Sequence, residues 1–245
     1  MNALEEAITR YLEKNPVAPY QKEKVAKLAA FTEYVLSENE KYNLTAIKDT
    51  EKAALLHIVD SLSVQGFIKA GTLCDVGAGA GFPSLPLAIY RDDLRVTALD
   101  ATAKKVTFMN SAAAQLELNN FEAINGRAED LFAAGTPLWE SFDTVIARAV
   151  APLNVLCELC IPAVKVGGTF IAMRGESAKQ EMEEYAKKNT DMVRKLGVWV
   201  EKFFYITLHG NEEDYTRYFC IFHKMHETDP KLPRSFANIK KRPLF

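Results

Sequence analysis

From Gly71 onward the chain alternates short apolar runs with segments of helical period, and this alternation constrains the fold more than any other feature. Thr72–Gly77, Arg95–Asp100, Phe121–Asn125, Phe142–Arg148 and Thr169–Arg174 read as strands. Between them Val106, Met109, Ala113 and Leu116 share one helix face, as later do Ala178, Met182, Tyr185, Asn189, Val193 and Leu196. Parallel strands need long crossovers, so strands separated by helices imply a mostly parallel sheet covered on both faces. The pattern then breaks. Val198–Leu208 and Thr216–Met225, joined by Gly210-Asn211-Glu212-Glu213-Asp214, predict a β-hairpin at one edge of the sheet.

The residues before Gly71 carry no strand signal. Leu4, Ala7, Ile8, Tyr11 and Leu12 form a helical stripe that Pro16 and Pro19 end. Val25, Leu28, Thr32, Val35 and Leu36 form a second, and a third helix is expected from about Glu51 to Val64. The predicted organisation is a helical cap over residues 1–66, an α/β domain over 67–226 and a basic tail over 227–245. The longest uninterrupted apolar run, Tyr218–Phe222, has five residues, far below the ~20 a membrane-crossing helix needs. Glu5 and Glu6 near the N-terminus do not suit an export signal. The four cysteines are therefore expected as reduced thiols in a cytoplasmic protein.

The sharpest local motif is Cys74-Asp75-Val76-Gly77-Ala78-Gly79-Ala80-Gly81-Phe82-Pro83, placed where a strand turns into a helix. Glycines there let the backbone approach a ligand closely. A dinucleotide fingerprint would place its third glycine where Phe82 stands, so a nicotinamide cofactor fits less well. Asp100 ends the next strand 19 residues after Gly81 and can accept hydrogen bonds from both hydroxyls of a ribose. Asp75 offers a second carboxylate, better matched to a cationic amine than to a pyrophosphate. A nucleoside with free ribose hydroxyls, no phosphate and a positive group answers this description, and S-adenosylmethionine is such a molecule. Arg127, after the third strand, reads as a solvated charge. Arg148 ends an apolar strand, where burying it unpaired would be costly, so a partner is expected there.

Several stretches taken in order resemble one known family: Tyr42-Asn43-Leu44-Thr45-Ala46-Ile47, His57-Ile58-Val59-Asp60-Ser61, Asp75 to Phe82, Gly126 to Asp130 and Ala147 to Leu153. It is the bacterial 16S ribosomal RNA guanine-N7 methyltransferase family, also called glucose-inhibited division protein B, and the similarity runs from about Asn39 to Lys224. The resemblance implies a class I, Rossmann-like methyltransferase sheet with an N-terminal helical cap, and S-adenosylmethionine as methyl donor. It implies cofactor contacts at Gly77, Phe82, Asp100, Ala101, Thr102, Ala128, Glu129 and Arg148, to which the loop geometry adds Gly79. The chain departs from the family at Ser84, where a glycine is usual, at Ala101 to Lys105, and at Lys231-Leu232-Pro233-Arg234.

No catalytic acid or base is expected, because guanine N7 already presents a lone pair and no proton. The loop Arg148-Ala149-Val150-Ala151-Pro152 lacks the Asn- or Asp-Pro-Pro-aromatic pattern of exocyclic-amine methylation. Cys157 and Cys160 lie in a predicted helix beside Leu156 and Leu159 and read as core thiols rather than a nucleophile. No second cysteine pair accompanies them, so no metal site is expected. His57 and Asp60, three apart on a helix, suit docking of the cap on the glycine loop better than catalysis.

Charge is unevenly spread. The chain carries −2 overall, but residues 231–245 hold Lys231, Arg234, Lys240, Lys241 and Arg242 with no acid, leaving −7 on the rest. These five, with Arg148, are the expected RNA contacts, and the expected partner is 16S ribosomal RNA or the small ribosomal subunit, bound by a monomer with no membrane involvement. Two other functions fit the same residues: an S-adenosylmethionine- and RNA-binding module without turnover, and a small-molecule methyltransferase.

Overall fold

The computed structural model describes residues 2–148, 150–188 and 194–244. Its described strands are β1 (Gly71–Val76), β2 (Leu94–Asp100), β3 (Phe121–Asn125), β4 (Phe142–Arg148), β5 (Val164–Arg174), β6 (Val198–His209) and β7 (Asp214–Lys224). The helices used below are α1 (Ala3–Lys14), α2 (Lys22–Tyr42), α3 (Thr50–Ala53), α4 (Asp60–Leu62), α5 (Ser84–Tyr90), α6 (Ala103–Gln115), α7 (Ala128–Leu131), α8 (Leu153–Cys160), α9 (Ala178–Lys188) and α10 (Phe236–Lys241). The chain forms two compact units, one of Met1–Ala70, Ala78–Asn125 and Thr207–Tyr215, the other of Gly71–Gly77, Gly126–Ile206 and Thr216–Phe245. Among the described residues no helix is long and apolar enough to cross a membrane.

In the first unit α1 begins because Asn2 accepts the Glu5 amide at 2.9 Å, satisfying a donor the helix leaves open. Its predicted stripe is the buried one: Leu4, Ala7, Ile8, Tyr11 and Leu12. In α2, Val25, Leu28, Thr32 and Val35 are buried while Leu36 is half-buried, and Asn43 in the left-handed region (φ 53) ends the helix. The third expected helix is not continuous. Between α3 and α4 the residues Ala54–Val59 wind as a π-helix, marked by the Asp60 amide donating to the Leu55 carbonyl five residues back. The wider turn buries Ala54, Leu55, His57, Ile58 and Val59, a density that a 3.6-residue stripe does not give. The strands β2 and β3 pair in parallel from Val96↔Phe121 to Asp100↔Asn125, with α6 as their crossover. The hairpin tip also belongs here. Asn15 accepts the His209 amide at 2.6 Å and donates to its carbonyl at 3.2 Å.

In the second unit the strand order is β1-β4-β5-β7-β6. The β1–β4 and β4–β5 pairs are parallel, and β5–β7 is antiparallel from Thr169↔His223 to Arg174↔Tyr218. The predicted hairpin thus enters the sheet through its second strand, with β6 outermost. The strand β5 starts five residues earlier than expected: Val164 pairs with Phe142 and the ladder resumes at Thr169↔Thr144, with Lys165-Val166-Gly167-Gly168 as the irregular stretch between the two pairs. The predicted helix ending at Leu196 is described as α9 to Lys188. Asn189 and Val193 lie outside the described residues. Cys74, Cys157, Cys160 and Cys220 are all buried and free. Burial raises their thiols, that of Cys220 to about 12, which fits core thiols and not nucleophiles.

Candidate functional site

The first unit contains one half of the expected constellation, built around the C-terminal end of β2. Asp100 is 8% exposed, and each of its carboxylate oxygens is held by a backbone donor. Gly79 N–H donates to Oδ2 at 2.9 Å and Thr102 N–H to Oδ1 at 2.8 Å. Asn125 at the end of β3 donates its amide to the Asp100 carbonyl at 2.9 Å, and Ala78 N–H donates to the Leu99 carbonyl at 3.0 Å. The glycine loop and the end of β2 are therefore fastened together. A carboxylate oxygen accepts more than one hydrogen bond, so both oxygens retain acceptor capacity, the requirement for a vicinal diol. Gly79 reaches Asp100 in a left-handed conformation (φ 62) that favours glycine.

Phe82, at the far end of the loop, is buried and stacked on His57, with ring centroids 4.3 Å apart and planes 11° from parallel. Phe31 of α2 lies tilted against it at 5.0 Å. His57 Nε2 is 2.8 Å from Thr45 Oγ1, and that hydroxyl also accepts the Ile47 amide at 3.0 Å. The Tyr42–Ile47 and His57–Ser61 segments thus meet the loop through one aromatic stack, which is the docking role expected for His57. Ala101 and Thr102 are exposed.

The second unit contains Gly77, Ala128, Glu129 and Arg148. Gly77 is left-handed (φ 75), and a Cβ there would come within 2.5 Å of Val150 Cγ2, so the loop after β4 packs where a side chain would otherwise stand. Ala128 is buried and Glu129 half-buried at the start of α7, beside the exposed Arg127. Arg148 is half-buried at the end of β4, and Asp75, at the end of β1, is 1% exposed.

Two acid–arginine pairs in this unit were not anticipated from sequence. Arg174 donates to the Ala151 carbonyl at 2.7 Å and pairs with Glu181 of α9 at 2.5 Å, holding the loop after β4 from one side. Glu158 is wholly buried in α8 and accepts Arg234 Nε at 2.7 Å, Nη2 at 2.5 Å and the Arg234 amide at 3.0 Å. The signal for the second pair is Glu158 itself, an acid inside Val155-Leu156-Cys157-Glu158-Leu159-Cys160, which must find a cation when that face is buried. Arg234, expected among RNA contacts, has its charge engaged by this carboxylate and also donates to the Arg242 carbonyl at 2.8 Å. The basic C-terminal segment has structure of its own. Leu232 and Ile239 are buried, α10 spans Phe236–Lys241, and Lys231, Lys240, Lys241 and Arg242 remain exposed. His223 Nδ1 lies 3.2 Å from Thr169 Oγ1, and His226 falls beyond the end of β7 rather than on it.

The family model described as rRNA small subunit methyltransferase G matches residues 24–201. Curated relatives of the same description include those of Lysinibacillus sphaericus, 39% identical over 90% of this chain and 91% of the relative, and Bacillus cereus, 41% identical over 87% and 88%. Among solved structures, M. jannaschii TYW2 in complex with AdoMet superposes with a TM-score of 0.53 at 16% identity, over 69% of this chain and 76% of that one. Coclaurine N-methyltransferase superposes at 0.50 and 11% identity, over 90% and 93%. These two show a shared fold, the class I methyltransferase fold, with its central, mostly parallel sheet. With a family model covering most of its length and relatives near 40% identity over about nine-tenths of it, the chain belongs to the rRNA small subunit methyltransferase G family.

Proposed function

We propose that this chain transfers a methyl group from S-adenosylmethionine to N7 of a guanine in small-subunit ribosomal RNA. The observation that carries the reading is the Asp100 carboxylate, buried at a strand end and held by Gly79 and Thr102 amides with acceptor capacity to spare. That geometry suits a ribose diol, so the residues present fit the cofactor of the family. Asp100 and Gly79 are proposed to hold the ribose, with Ala101, Thr102 and Phe82 bounding that side. Gly77, Ala128, Glu129 and Arg148 are proposed as further cofactor contacts on the family resemblance.

When bound, S-adenosylmethionine supplies an electrophilic methyl group, whose bond to sulfur breaks towards sulfur as the N7 lone pair forms the new bond. N7 carries no proton, so the chain has none to remove, and its work is alignment. Holding acceptor and donor in line converts a bimolecular encounter into a positioned one, worth several kcal/mol of the barrier. Gly77 gives the loop after β4 close backbone approach, and Arg174 fixes that loop through the Ala151 carbonyl. Lys231, Lys240, Lys241 and Arg242 are proposed as phosphate contacts, with Arg148 nearer the base. Arg234 instead anchors their segment. The setting that goes with this reading is the cytoplasm, with a single copy of the chain acting on the small-subunit RNA.

The test is incubation with S-adenosylmethionine and small subunits from cells lacking the enzyme, followed by mass spectrometry of digested RNA. One added methyl on a guanine, with the lability to alkaline cleavage of a 7-methylated base, is the expected result. Absence of RNA methylation by folded, cofactor-binding protein would refute the proposal.

A further inference from the structure

A cavity of about 340 Å³ opens between the loop after β4 and α10, at the lower end of the size range of small-ligand sites. Its walls include Val150, Pro152 and Val155 on one side and Phe236, Pro243 and Lys240 on the other. Val150 is 41% exposed and Phe236 is half-buried. The Lys240 ammonium lies 5.6 Å from the centroid of the Phe236 ring. Lys241 and Arg242 follow, exposed, and no acid occurs between Lys231 and the end of the chain. The nearby carboxylate of α8, Glu158, is already bound to Arg234.

An aliphatic floor, an aromatic face and cations at the rim match one chemical class: an unpaired nucleotide, with its base against the ring and its phosphates at the lysines. Base stacking on aromatic side chains and backbone attraction to cations are the two components of single-strand recognition. The position agrees with this. The loop Val150-Ala151-Pro152 follows the C-terminal end of a parallel strand, where α/β sheets bind their ligands. The same three residues wall a second cavity with Met173, Arg174 and Ser177. Arg234 binds both Glu158 and the Arg242 carbonyl, which ties the segment carrying α10 to α8.

Resting on the function proposed above, we infer that this cavity is a subsite for an unpaired nucleotide of the ribosomal RNA flanking the methylated guanine. The base lies on Phe236 between Val150 and Pro243, and Lys240 meets the adjoining phosphate.

The test uses the full chain with saturating S-adenosylhomocysteine and protein-free small-subunit ribosomal RNA, its affinity read by filter binding over a salt series. Loss of stacking in Phe236→Leu, which keeps apolar bulk, should weaken binding about tenfold, and Phe236→Trp should restore it. Lys240→Ala should flatten the slope of log affinity against log salt by about 0.7, as for one single-strand phosphate contact, and Lys240→Arg should retain the slope. Affinity for S-adenosylhomocysteine should be unchanged in all four. Phe236→Leu binding RNA as tightly as wild type, or an unaltered slope in Lys240→Ala, overturns the subsite. Equal loss in Phe236→Leu and Phe236→Trp overturns it as well, since that marks packing alone. Methyl transfer by the wild-type protein to small subunits in parallel separates the two ideas: transfer with no effect of the variants on RNA binding sinks only the subsite, while neither transfer nor RNA binding by wild type sinks both.

Discussion

Replacing Asp100 by Asn changes one carboxylate oxygen to an NH₂ group and removes the charge, with little change of shape. In the structure the two oxygens take the Gly79 and Thr102 amides at 2.9 and 2.8 Å, so whichever way the new amide turns, one backbone N–H faces another donor. An orphaned buried donor costs about 1–3 kcal/mol. At roughly 2–4 °C per kcal/mol for a chain of this size, the melting temperature should fall by about 2–12 °C and leave a folded protein. The effect on the cofactor is separate. A ribose hydroxyl donating to a carboxylate contributes about 1.5–3 kcal/mol, so losing one such bond weakens binding about 10- to 150-fold. Asp100→Ala removes both acceptors and should cost on the order of a hundred- to ten-thousandfold. Titration calorimetry with S-adenosylhomocysteine, carried out well below each variant's melting temperature, measures this directly. If folded Asp100→Asn binds within about threefold of wild type, a difference under ~0.7 kcal/mol, the ribose assignment is wrong.

Arg234→Met leaves the Glu158 carboxylate buried without its cation, and should cost about 3 kcal/mol in urea denaturation. Adding Glu158→Leu should recover most of that, and a single variant within about 1 kcal/mol of wild type would contradict the anchoring role. For Asp143, burial acts to raise the carboxyl, but the Thr72 amide and hydroxyl and the Lys165 ammonium outweigh it and hold it at about 2. Its folded-state value is therefore depressed below 3.8, so it stabilises the fold above that pH and the contribution disappears as the pH falls towards 2. Asp143→Asn should flatten the denaturation midpoint over that interval, and an unchanged acid limb would refute the account. All four thiols are buried and raised by desolvation, so Ellman's reagent should titrate none promptly in the native protein and four in denaturant. Rapid native labelling of any one would show that its surroundings open.

Much of the candidate site's local geometry was legible because it is set by nearby residues. Gly77, Gly79 and Asp100 occupy fixed places relative to a strand–loop–helix unit, and short-range sterics dictate what such a loop does. His57 was legible as a docking residue only in outline. That it stacks on Phe82 while Thr45 holds its ring follows from three segments meeting, which no single window contains. The π-helical turn at Ala54–Val59 was invisible to a periodicity of 3.6, because the pattern there is apolar almost throughout and supports either winding.

The sequence by itself determined the alternation of strands and helices, the hairpin, the glycine loop, the carboxylate at the end of β2 and the concentration of positive charge at the C-terminus. Those depend on residue type and on periods of two to four residues, which the chain carries wherever it goes. Only the tertiary structure decided which of the C-terminal cations are available. Arg234 and Lys240 are equivalent as charges in a sequence, yet one is neutralised by Glu158, 76 residues away, and the other stands exposed beside Phe236. Burying an acid forces a cation to join it, and the cation chosen is set by packing between distant segments rather than by proximity along the chain.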